Sequence, residues 1–105
     1  MRKILITKYM DFEISLGDQT DAIQFSHNRA AFAQVFLARN YNTLVKRIKT
    51  GDVVIDAGAN IGMFSLLASR FVGDEGQVIS IEPQFENFRF SEENVRINGI
   101  KISEQ

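Results

Sequence analysis

An apolar run, Val53-Val54-Ile55, leads directly into Asp56-Ala57-Gly58-Ala59-Asn60-Ile61-Gly62, and a second run, Ile79-Ser80-Ile81, ends in Glu82-Pro83. Together they commit the chain to a parallel α/β unit. Val53 to Ile55 is apolar at every position, without the alternation of a strand that has one wet face, so it reads as a central strand covered on both faces. At Gly58 and Gly62 the missing Cβ lets the backbone turn sharply and lets a ligand come close. Asn60 is placed to cap the helix that follows, predicted from Gly62 to Phe71 by the spacing of Phe64, Leu67, Ala68 and Phe71. Gly73-Asp74-Glu75-Gly76 stops that helix and turns the chain into a strand over Gln77 to Glu82, rich in β-branched residues. The unit is β-loop-α-β.

The glycine spacing and the carboxylates narrow the ligand. A dinucleotide fingerprint, G-x-G-x-x-G, cradles a pyrophosphate on backbone N–H groups and a helix N-terminus. Counting from Gly58, this chain has Asn60 and Met63 where the second and third glycines belong, so a phosphate cradle is poorly made. Asp56, at the carboxyl end of its strand, can favour a cationic amino group and sulfonium, and Glu82, at the end of the neighbouring strand, can accept both hydroxyls of a ribose. Hydrogen bonds to a charged acceptor are worth about 1.5–3 kcal/mol each. Asp56, Gly58, Asn60, Gly62 and Glu82 therefore suit S-adenosylmethionine better than NAD.

The stretch from Gly51 to Gly99 closely resembles the FkbM family of S-adenosylmethionine-dependent methyltransferases. It carries the Gly51-Asp52 lead-in, the Asp56 to Gly62 loop, Glu82-Pro83, and Glu86-Asn87-Phe88 opening a helix that runs to Asn98-Gly99. The resemblance implies the N-terminal half of a Rossmann-like class I methyltransferase fold. It also implies O-methylation of a sugar, glycan or natural-product hydroxyl. Ser91 stands where family members usually have an aliphatic residue, and the sequence after Ile100, Lys101-Ile102-Ser103-Glu104-Gln105, is expected to break off where the third strand should begin.

Composition limits the alternatives. With 45% hydrophobic and 24% charged residues the chain is neither disordered nor membranous. A formal net charge of −1, with no run of Lys and Arg interleaved with aromatics, gives nucleic acid no electrostatic hold. There is no cysteine, hence no disulfide or thiolate zinc site. Ile4-Leu5-Ile6 is too short for a signal-peptide core, no stretch has the length of a membrane span, and a cytoplasmic protein is the expectation.

Residues 1–50 read as a β-hairpin and helix segment packing on the unit formed by 51–105. The strands are Arg2 to Tyr9 and Phe12 to Leu16 around a turn at Met10-Asp11. From Asn28 to Lys49 the apolar residues fit either one helix interrupted near Asn40 or an extended piece followed by a helix, and the FkbM resemblance favours the second through Val35-Phe36 and Tyr41. Thr50-Gly51-Asp52 ends that helix.

The plainer roles of the same residues are an ordinary βα turn at Gly58 and Gly62, a loop-ordering carboxylate at Asp56 and a strand end at Glu82. His27, the single histidine, reads as a surface residue, and Phe85, Phe88 and Val95 as core-facing positions of one helix. No metal-ligand spacing and no catalytic triad is present, and no catalytic residue is assigned. With the later strands of a doubly wound sheet missing, Val53 to Ile55 becomes an open edge, so self-association or a complementing chain is expected there. The main reading is thus an incomplete methyltransferase acting on a small-molecule or glycan hydroxyl. The alternatives are a non-catalytic cofactor-binding or assembly subunit of a split enzyme and, disfavoured by Asn60 and Met63, an NAD-binding oxidoreductase fragment.

Overall fold

The computed structural model describes residues 2–38 and 41–105. The chain begins with an antiparallel hairpin, β1 (Ile4–Tyr9) and β2 (Phe12–Asp18), whose tight turn places Met10 at φ 56°. The Asp18 carboxylate closes the open end by accepting from Lys3 N, Thr20 N and Thr20 Oγ1, and these bonds, the first above all, bring its pKa from the ordinary 3.8 to about 2.

Helix α1 (Ala22–Phe32) starts where Asp21 accepts a bond from Gln24 N, and it continues into a π-helical segment, Ala33–Leu37. Val35 and Phe36 are therefore helical, against the expectation of an extended piece. Their environment explains it: Phe32 and Phe36, a turn apart, join Tyr9 and Phe12 in an aromatic cluster with ring centroids 5.3–6.1 Å apart, which only a helical spacing can reach. The expected break near Asn40 lies outside the described residues. A short helix α2 (Asn42–Val45) follows and ends well before Thr50.

Residues 53–105 form the parallel unit: β3 (Val53–Ala57), α3 (Met63–Val72), β4 (Gln77–Ile81), α4 (Phe85–Ile97) and β5 (Ser103–Glu104), with strand order β3-β4-β5. The third strand does begin within the chain, because Ser103 and Glu104 pair with Ile79 and Ser80. Helices α3 and α4 cover one face of this sheet, and β1, β2 and α1 close over the far side of the helices. The principal core lies between hairpin and helices, with Ile14, Ile61 and Leu66 fully buried. Burial of such side chains stabilises by about 1.5–3 kcal/mol each.

Strand β3 is not covered on both faces as its composition suggests. Val54 turns toward Ala68 and Val72 under α3, whereas Val53 and Ile55 are 61% and 62% exposed on the opposite face. The pattern reflects a strand whose second face and outer edge meet no other element among the described residues. Phe85 is likewise not core: it is 69% exposed at the first turn of α4, beneath the Arg89 guanidinium, while Val95 is buried. Such an edge offers unpaired backbone groups beside exposed β-branched side chains, so the isolated chain should associate as its concentration rises. Ile55→Lys should reduce that association, measured by sedimentation velocity; an unchanged profile would place the contact elsewhere. No described helix is long and apolar enough to cross a membrane.

Candidate cofactor site

The carboxyl ends of parallel strands are where an α/β sheet receives ligands, since loops and helix N-termini converge there. Here the β3–α3 loop is shaped by three left-handed residues, Gly58 (φ 76°), Asn60 (φ 57°) and Gly62 (φ 89°). Gly58 N and Ala59 N both donate to Ile81 O, at 2.8 and 2.9 Å, which folds the loop over the end of β4. Gly62 forms the N-cap of α3, and its carbonyl accepts from Leu66 N.

Asn60 does not cap the helix as its position suggested. Its backbone N–H donates to Glu82 Oε1 at 2.7 Å, and its side chain reaches out of the loop to His27. Helix α3 starts at Met63 with Gly62 as its N-cap, so Asn60 stands two residues before the capping position. The two glycines also differ. A Cβ on Gly58 would stand in open space, whereas one on Gly62 would lie 2.7 Å from Ser91 Oγ. Gly62 is bare so that α4 can come close, and Ser91 is small for the same reason.

Glu82 sits just past β4. Its carboxylate accepts from Asn60 N and from Gln84 N at 2.9 Å, which orients it and leaves further lone pairs. Asp56, near the end of β3, is partly buried and accepts from Ser65 Oγ at 2.7 Å. Burial pushes its pKa up, the Ser65 hydroxyl pulls it back, and the neighbouring Glu82 charge pushes it up again. The structure adds a carboxylate that had no place in the sequence reading. Register sets Asp56 beside Ser80 and Ser80 beside Glu104, so the three lie in one row across the sheet. Burial also raises the pKa of Glu104, partly offset by bonds from Ser91 Oγ at 3.0 and 3.1 Å. Only the pairing of β5 reveals Glu104; its neighbours in sequence carry no signal for it.

A small pocket of about 80 Å³ opens beside Asp56 and is lined by Gly58, Asn60 and Phe64 on one side and by Ala31, Gln34 and Tyr41 on the other. The N-terminal segment thus walls the loop, with the Tyr41 ring tilted against Phe64 at a centroid distance of 4.8 Å. A larger open cleft, near 1030 Å³, lies at the opposite end of the sheet around Gly73–Gly76 and Lys101, away from these carboxylates. Among the described residues no group of three His, Cys, Asp or Glu side chains is arranged to hold a metal ion.

The family model for protein-L-isoaspartate(D-aspartate) O-methyltransferase matches residues 2–103. The chain belongs to this family. The family match and the FkbM-like motifs of residues 51–99 agree on the methyltransferase class and differ on its branch. No curated protein matches the sequence. A SAM-dependent methyltransferase from Aquifex aeolicus superposes with a TM-score of 0.59 at 25% identity, over 71% of this chain and 40% of that one. A SAM-dependent O-methyltransferase from Thermotoga maritima gives a TM-score of 0.54 at 25% identity, over 64% of this chain and 28% of that one. A protein-L-isoaspartate O-methyltransferase of known structure shares the fold across 98% of this chain, hairpin segment included, with a TM-score of 0.53 and 19% identity over 28% of its own length. The fold is the Rossmann-like fold of class I methyltransferases, and the chain spans between 28% and 40% of the length of these three structures.

Proposed function

We propose that this chain binds S-adenosylmethionine at the carboxyl ends of β3 and β4 and serves an O-methyltransferase. The observation that carries the reading is the convergence of Asp56, the open backbone at Gly58 and the Glu82 carboxylate on one loop whose glycines do not form a pyrophosphate cradle. In this reading Glu82, oriented by two backbone N–H groups, keeps lone pairs for the ribose hydroxyls. Asp56 faces the methionine end, where its charge offsets an amino group, and the pocket beside it suits a few heavy atoms. Asn60 and Gly62 hold the loop in the shape that presents these groups. The cofactor, when bound, supplies an activated methyl group; the protein's part is to hold it at a fixed distance and angle to an acceptor oxygen.

The family points to a carboxylate oxygen of an isoaspartyl or D-aspartyl residue as acceptor, a group already anionic at neutral pH. The four FkbM-like motifs support a second reading, a sugar, glycan or natural-product hydroxyl. The products differ: a methyl ester is cleaved by mild alkali and a methyl ether is not. Transfer of labelled methyl from the cofactor to an isoaspartyl peptide or to a glycan, followed by alkali, separates the two.

Binding is the direct test. By titration calorimetry S-adenosylmethionine and S-adenosylhomocysteine should bind this chain more tightly than NAD, and equal or tighter NAD binding would remove the methyltransferase site. Glu82→Ala should weaken cofactor binding by about 1.5–3 kcal/mol. Glu82→Gln keeps an acceptor for Asn60 N but not the charge, and should fall between the two. An unaltered affinity in Glu82→Ala would refute the ribose assignment.

A further inference from the structure

We infer that His27 is a positioning residue for the cofactor loop, acting through Asn60. This rests on the cofactor site proposed above and adds to it a group from the N-terminal segment. His27 Nε2 lies 2.9 Å from Asn60 Oδ1, across 33 residues of sequence. An amide oxygen only accepts, so Nε2 carries the proton and donates. Both the neutral ε tautomer and the imidazolium can make this bond.

Three further observations make it more than a surface contact. Asn60 is held at φ 57°, a left-handed conformation that asparagine adopts more readily than other residues with side chains, commonly with a local hydrogen bond, yet here its side chain is engaged by His27. The backbone N–H of the same residue donates to Glu82 Oε1 at 2.7 Å, so whatever fixes Asn60 also fixes the carboxylate assigned to the ribose. His27 itself stands on a rigid support. Its neighbour Asn28 is fully buried, donates from Nδ2 to Leu16 O at 3.1 Å and accepts from Gln24 Nε2 at 2.8 Å, which pins α1 to the hairpin. Helix α1 and the π-helical segment also supply Ala31 and Gln34 to the pocket beside Asp56. The line Asn28–His27–Asn60–Glu82 therefore transmits the position of the hairpin to the cofactor carboxylate. His27 lies mid-helix on the exposed face of α1, so its bond to Asn60 adds no burial to the core and acts on the loop alone.

The test uses the full chain and two readouts. In ligand-free protein, His27→Ala should speed amide hydrogen exchange at Asn60 by about threefold to tenfold, the net worth of one hydrogen bond, with the exchange of β4 unchanged. It should weaken S-adenosylhomocysteine binding by a similar factor. His27→Gln, whose amide Nε2 can reach Asn60 Oδ1, should restore both. In an Asn60→Gly background, which keeps the left-handed backbone and deletes the acceptor, His27→Ala should change neither. The inference is overturned if His27→Ala leaves Asn60 exchange at the wild-type rate, if His27→Gln behaves like His27→Ala, or if the full effect persists in Asn60→Gly. Failure of the wild-type chain to bind S-adenosylhomocysteine would count against the cofactor reading, while the exchange measurement still decides the role of His27.

Discussion

Gly62→Ala should destabilise the protein by about 2–5 kcal/mol, the sum of a left-handed backbone imposed on an L side chain and an overpacked contact. The position is at φ 89°, and the added Cβ would fall 2.7 Å from Ser91 Oγ and 3.3 Å from Ser91 Cα, a backbone atom that cannot swing aside. Relief requires α4 to move away from the start of α3, which would also loosen the Ser91 bonds to Glu104. Gly58→Ala is the matched control. Its φ of 76° imposes the same kind of conformational cost, but nothing stands within 4 Å of the added Cβ, so its loss should be limited to about 1–2 kcal/mol. Urea denaturation of the pair measures the difference. Equal losses would mean that backbone strain alone governs the loop and that α4 is free to adjust. Gly58→Ala should instead weaken cofactor binding out of proportion to its effect on stability, because its open side is where the ligand is proposed to lie.

Asn94→Leu should cost about 2–5 kcal/mol although it replaces a polar residue by an apolar one of similar size in a buried position. Asn94 is fully buried in α4. Its Oδ1 accepts from Ser15 N at 2.7 Å, and its Nδ2 donates to Ser15 O at 3.3 Å and to Ile61 O at 3.2 Å. One side chain thereby satisfies backbone groups of β2 and of the β3–α3 loop, and leucine would leave them buried without partners. One turn later Asn98 does the same for Glu13, donating to its carbonyl and accepting from its N–H, both at 2.7 Å, but in a more exposed place where water can substitute. Asn98→Ala should therefore cost less, about 0.5–1.5 kcal/mol. Hydrogen exchange adds a spatial check. Asn94→Leu should release protection in β1 and β2 before β3 and β4, and a loss spread evenly over both sheets would show that the asparagine does not act as the tie between them.

The two asparagines mark the boundary of what could be read from the linear chain. The β-loop-α-β unit was legible because its signals are local. Three consecutive apolar residues, a glycine-containing loop, helical spacing and a second glycine turn place β3, α3 and β4 within a residue or two of where they stand. The hairpin was legible for the same reason, with Met10-Asp11 at its turn. Asn94 gave no such signal. Within α4 it is one polar residue among several, and its partners lie 79 and 33 residues away. Val35 and Phe36 misled in the other direction: the FkbM resemblance put them in an extended piece, but the aromatic cluster on the hairpin offered enough apolar surface to keep them helical. The exposure of Val53 and Ile55 was not a matter of residue type at all, since the same residues would be buried wherever another layer covers that face.

Local chemistry along the chain was sufficient to locate Asp56, the left-handed glycines and Glu82, because strand ends and tight turns are set by residues within a few positions of one another. Packing alone decided how those groups are held. It set Ser65 of α3 against Asp56, placed Glu104 in the row with Asp56 and Ser80, turned Asn60 from helix cap to link between His27 and Glu82, and made Gly62 a contact with α4. Each of these depends on the distance between elements far apart in sequence, and that distance exists only after the hairpin, the helices and the sheet have closed on a common core.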